Sequence, residues 1–290
     1  MSTDASTDTG DLVAGAVDMH CHFGPDAHLE RSVDCLEAAE QARGLGMAAI
    51  VLKSHDYQTA ALAYAVDKVT PGIRVFGGIA LDTPVGGLNP HAMEVMCRIG
   101  GKVVWMPTLS SENDHRKFGL PTPGLSILDG DVHRAPRVKP EVREILVLAK
   151  EFDVVVETGH ISFLEILALL DAAADIGVDK LVVTHAMEPL AGPQLDLAQM
   201  CEVAERGAYV EHCAMTCSGY LAELPPAAIA DAIRHVGPAR CVLSTDYGQK
   251  RNVAPAPGLR QFLELLLAED ISRDDIDLMA KDNPARLLSL

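Results

Sequence analysis

The chain has 290 residues, 48% of them hydrophobic, enough to bury the core of one large barrel or of two ordinary domains. Its 41 acidic against 24 basic residues leave a formal charge of −17, which argues against the basic surface that nucleic acid or an anionic membrane requires. No stretch approaches the roughly 18–20 uninterrupted apolar residues of a membrane span, and "MSTDASTDTGDLVAG" has no secretory-signal pattern, so a cytoplasmic location is expected.

Residues 1–14 read as a disordered tail and residues 15–290 as one domain. The first predicted strand, 15–20, runs into His20-Cys21-His22. A helical stretch, "SVDCLEAAEQARGLG", leads to a second strand over 47–53, ending Lys53-Ser54-His55. Strands three and four are expected over 73–81 and 102–107. A proline-bearing connection with little periodicity, 108–139, comes next; in a barrel it would lie over the C-terminal mouth as a lid with a small hairpin. Strands five to eight are expected over 153–158, 180–185, 208–212 and 241–246, separated by amphipathic helices such as "PEVREILVLAKEF" and "FLEILALLDAAADIG". The last stretch, 273–290, reads as a terminal helix interrupted by Pro284. Eight apolar strands alternating with helices, without a linker, predict a single (β/α)8 TIM-like barrel. A doubly wound open sheet is the alternative, but no GxGxxG follows the first strand.

The seven cysteines are odd in number and form no CxxC pair, so buried structural thiols are expected, Cys213 and Cys217 included. Catalytic groups of such a barrel lie at the C-terminal strand ends. Here the ends of strands one, two, five, six and eight carry metal-competent side chains. Alternation sends His20 and His22 to one face, half of a site for a divalent cation, with Asp18 beside them to orient an imidazole. Glu157 ends a run of valines, where an ionised carboxylate is costly unless paired or bound to metal. His160, His185 and Asp246 add three further donors, and Asp246 can also accept the proton of an activated water. Lys53 and His55 are candidates for binding substrate, Lys53 alternatively for bridging two metals if carbamylated. Glu211 and His212 are weaker candidates; His28, His91, His115, His133 and His235 read as surface residues.

Taken in order, His20-x-His22, His160, His185 and Asp246 resemble the motif of the amidohydrolase superfamily, and "NPARL" at 283–287 resembles its C-terminal helix. The resemblance spans residues 17–288. It implies a distorted barrel holding one or two divalent ions, zinc or else manganese; Glu157, a candidate ligand or bridging carboxylate from its place at the strand end, departs from that motif as an additional carboxylate. The resemblance further implies that a metal-bound hydroxide attacks an amide, lactone, ester or imine carbon of a small molecule, with Asp246 as general base. The bridging lysine common after strand four is missing, since that strand ends Trp105-Met106-Pro107. Mononuclear relatives that decarboxylate or hydrate are one alternative. A metallophosphoesterase of the polymerase-and-histidinol-phosphatase type, which His55 would suit, is another. Arg116, Lys117, Arg134, Arg137, Lys250 and Arg251 lie in predicted mouth loops and suit an anionic substrate. Barrels of this sort often pair, so a homo-oligomer is one expectation.

Overall fold

Strands that are apolar on both faces need parallel neighbours and helical crossovers. The computed structural model, which describes residues 12–130 and 136–290, has that arrangement. β1 (Val17–His22), β2 (Ala49–Lys53), β3 (Arg74–Ala80), β4 (Val103–Trp105), β5 (Val155–Glu157), β6 (Leu181–Val183), β7 (Tyr209–Cys213) and β8 (Cys241–Ser244) form one eight-stranded parallel sheet in sequential order. The sheet curls until β8 meets β1. There His22 N donates to Tyr247 O at 2.8 Å and Asp246 N to His20 O at 2.9 Å, and the (β/α)8 barrel is all but closed.

Helix boundaries follow local chemistry. Helix 163–176 starts in a capping box between Ser162 and Glu165 and stops at Gly177, whose φ of 82° suits glycine. Glu165 does a second job: its Oε1 accepts from Ser126 Oγ at 2.7 Å and Ile127 N at 3.1 Å, pinning the segment after β4 to this helix.

The barrel interior has an apolar lower part that includes Met19, Val51, Phe76, Val103 and Trp105, and the C-terminal Leu287 and Leu288 join this cluster. Gly78 makes room for the indole, because a Cβ there would lie 2.6 Å from Trp105 Cζ3 and 2.1 Å from Val103 O. Helices cover the outside through two larger apolar clusters.

Several expectations need correction. The tail boundary lies earlier than residue 14: Leu12 and Val13 are 0% and 1% exposed and belong to the core. Residues 1–11 of that tail, and His133 and Arg134 of the expected lid, fall outside the described residues. In the 108–139 connection a helix over Glu112–Lys117 was not expected from the sequence, whereas the short antiparallel pair, Leu128–Asp129 with Arg137–Val138, agrees with the expected hairpin. The terminal helix comes in three pieces: Arg273–Asp277, a π turn over Leu278–Asp282, and Asn283–Leu288. All seven cysteines are free thiols. Among the described residues no helix is long and apolar enough to cross a membrane.

Candidate metal centre

A regular β1 would send Asp18, His20 and His22 to one face. The pairing register with β2 instead shifts between Asp18 and Cys21, so Val17 and Met19 enter the interior cluster and His20 turns inward directly after them. Asp18 therefore does not orient an imidazole. It accepts from His20 N and Thr245 N, both at 3.1 Å, and from Thr245 Oγ1 at 2.5 Å, clamping β1 to the chain after β8. Burial raises its carboxyl to about 6 despite those bonds.

The strand ends bring the expected donors together in two groups. His20 Nε2 and His22 Nε2 lie 3.2 and 3.1 Å from Asp246 Oδ1. His160 Nε2 and His185 Nε2 face each other at 3.1 Å. His55 stands between the groups, its ring centroid 5.0 Å from that of His22 and 6.2 Å from that of His160. Asp246 and His185 both have left-handed backbone, with φ of 54° and 26°, a strain that concentrates at functional sites.

Each of three histidines is held from behind. His20 Nδ1 lies 3.2 Å from Glu211 Oε2, which also accepts from His185 N at 2.9 Å. His160 Nδ1 lies 2.5 Å from Asp114 Oδ2, and Asp114 comes from the helix of the 108–139 connection. His55 Nδ1 lies 2.7 Å from Thr108 Oγ1 and 3.6 Å from Asp82 Oδ2, itself hydrogen-bonded by Thr108. A carboxylate behind Nδ1 sets the tautomer that leaves Nε2 as a lone pair, the usual support of a metal-binding imidazole. The donor set thus fits a divalent cation: among the described residues His20, His22 and Asp246 have ligand atoms within 4.8 Å of one another. A second triad, His20, Glu211 and Cys213, lies on the Nδ1 side of His20, where Glu211 already holds the ring.

Electrostatics agree with that reading. Burial, followed by the charge of His160, lowers His185 to about 3. Burial lowers His55 to about 4, against the pull of Asp82. Burial would raise the Asp246 carboxyl, but His20 and His22 outweigh it and hold it well below the usual carboxylate range. His55 and His185 are thus unprotonated, and the Asp246 carboxylate ionised, at neutral pH.

Beneath the histidines lies a layer of buried ionisable groups. Lys53 Nζ is 2.9 Å from His20 Nε2 and 5.5 Å above the Trp105 ring, and its residue also lines the mouth cavity. Glu157 Oε2 accepts from Trp105 Nε1 at 2.7 Å and from Thr184 Oγ1 at 3.1 Å, while Oε1 has no partner. Glu157 belongs to neither donor triad. Burial, then the charge of Glu211, raises its carboxyl well above normal. Asp82, Asp114 and Thr108 escaped sequence reasoning, since they end no strand in the motif and carry no spacing signal.

The sequence profile of a family described as "Family of unknown function (DUF6282)" matches residues 15–211. No curated protein sequence matches the chain. An amidohydrolase from Pseudomonas aeruginosa superposes with a TM-score of 0.63 at 11% identity, over 97% of this chain and 98% of that one. A putative 2-pyrone-4,6-dicarboxylic acid hydrolase from Pseudomonas putida gives 0.59 at 17% identity, over 95% and 97%. A 2,6-dihydroxybenzoate decarboxylase from Rhizobium gives 0.55 at 12% identity, over 95% and 99%. All three share their barrel fold with this chain.

Proposed function

Because the chain belongs to the DUF6282 family, itself of unknown function, and shares the amidohydrolase fold, we propose from its site that it is a metal-dependent hydrolase. Its reaction would break a C–N or C–O bond, as in an amide, lactone, ester or imine, of a small molecule. The observation that carries this reading is the convergence of His20, His22 and Asp246 within 3.2 Å contacts, beside the facing His160 and His185. These five side chains would hold one or two divalent ions, zinc or manganese. A bound ion would supply Lewis acidity and acidify water.

The chain's own residues supply the rest. Asp246 is ionised and sits between two imidazoles, placed to accept a proton from an attacking water and pass it to the leaving group. Glu211 and Asp114 keep His20 and His160 in register. The mouth cavity, about 130 Å³, suits a small substrate. The test is elemental analysis of protein purified without chelator, then assay against amides, lactones and esters. One or two equivalents of metal, lost in both His20→Ala and His185→Ala, would support the reading. Absence of metal after reconstitution would end it.

Decarboxylation is the second reading, favoured by the missing lysine at the end of β4 and by the decarboxylase that shares the fold. It predicts carbon dioxide release without a hydrolytic product. A phosphoesterase would instead release phosphate from an aryl phosphate and lose that activity on His55→Ala.

A further inference from the structure

Buried polar atoms without partners are uncommon in folded proteins, and bound water or a ligand commonly explains them. Besides His185, two residues lining the mouth cavity keep such an atom: Arg31 at Nη1 and Glu188 at Oε2. The side chain of Arg31, on the loop after β1, is 3% exposed. Asp26 Oδ2 accepts from its Nε at 3.0 Å and its Nη2 at 2.6 Å. Asp26 is held in turn by His28 N and Leu29 N, each at 2.8 Å. The loop is also tied to the segment after β8, by Ser32 N to Gly248 O at 2.8 Å and Lys250 N to Glu30 O at 3.0 Å. The guanidinium is thus clamped from one side, its Nη2 is 3.4 Å from His22 Nδ1, and Nη1 is the end left over.

Other basic residues near the mouth are engaged by the protein. Arg116 donates to Asn113 Oδ1 at 3.0 Å, Lys117 to Gly192 O at 3.1 Å and Lys250 to Glu30, while Arg251 lies 4.8 Å over the Tyr220 ring. Glu188 follows β6, part-way round the barrel from Arg31; its Oε1 accepts from Leu190 N at 3.1 Å. A carboxyl group on that wall disfavours a second anion beside it. A guanidinium stays charged at any working pH, and its planar N–H groups match a carboxylate. The cavity, about 130 Å³, is near the ~150 Å³ of an engineered cavity that binds benzene.

Resting on the hydrolase reading of the same cavity, we propose that the substrate is a small carboxylic acid whose carboxylate is captured by Arg31 through Nη1. Arg31 would then set specificity and turn the reactive end of the molecule toward Asp246.

Calorimetric titration of the metal-loaded protein with succinate and with its neutral analogue succinamide tests this. The wild type should bind succinate about tenfold or more tightly than succinamide, and Arg31→Met should abolish the preference. Should Arg31→Met fail to fold, Arg31→Lys decides, because it keeps the charge but lacks the planar fork; it should weaken succinate several-fold. A wild type without preference, or variants that bind succinate as the wild type does, would overturn the proposal. Metal content and ester hydrolysis of the wild type report separately on the hydrolase reading. Their absence, with an Arg31-dependent preference intact, would remove the hydrolase and keep the carboxylate site.

Discussion

The lower barrel interior is apolar, with Met19, Val51, Phe76, Val103, Val155, Val182 and Val242 packed together, whereas the strand ends above it hold Lys53, Glu157, Glu211 and the histidines. Where the halves meet they are equally dry: Met19 and Glu157 are both 0% exposed. Their energetics are opposite. Burying apolar surface stabilises by about 25 cal/mol per Å², while burying ionisable groups costs free energy unless each finds a partner. The upper half carries the marks of that cost in the raised Glu157, the lowered His185 and the unpartnered Glu157 Oε1. Apolar burial is concentrated below and ionisable groups above, in strands of a few residues each.

That division can be broken or sharpened by experiment. The largest effect is expected from Asp246→Asn, which should lower kcat by about 10²–10⁴ while circular dichroism and thermal midpoint stay near those of the wild type. A variant that lost structure as well would show that the upper half also supports the fold. Met19→Ala is the converse test from the residue next to His20. It should cost about 2–5 kcal/mol in denaturant unfolding and leave metal content unchanged; loss of metal would mean the halves are not separable. Asp114→Ala removes the support of His160 and should weaken metal affinity about 10–100-fold, measured by competition with a chelator. Unchanged affinity would make Asp114 a loop anchor only.

The smallest effect concerns acid. Burial lowers His55 to about 4, His185 to about 3 and His212 to about 4, and holds His22 well below its ordinary 6.5. Between pH 6.5 and about 4 the unfolded chain therefore binds protons that the native chain does not, so stability falls as pH falls through that window. Asp18, Glu157 and Glu188, raised by burial, act in the opposite direction but are fewer than the four histidines. The melting temperature of metal-free protein should drop between pH 6.5 and pH 4.5. A flat or rising profile would mean that the upper half is wetter than the geometry indicates.

Much of this barrel was legible in the sequence because its signals are local. Apolar runs bounded by helix caps located all eight strands to within a few residues, since strand burial and helix termination depend on near neighbours. That His20, His22, His160, His185 and Asp246 come together was legible as well, because strand ends in a barrel share one mouth. Only the tertiary structure revealed what surrounds them. Glu211 lies 191 residues from the His20 it holds, and Asp114 lies 46 from His160 in a stretch without periodicity. A one-residue irregularity in β1 reversed the role expected of Asp18. The anion-binding expectation moved from the loop lysines and arginines to Arg31, whose special feature is what its neighbours leave unbonded. Periodicity records which face of an element is buried, but hydrogen-bond partners between distant segments exist only after the barrel has closed.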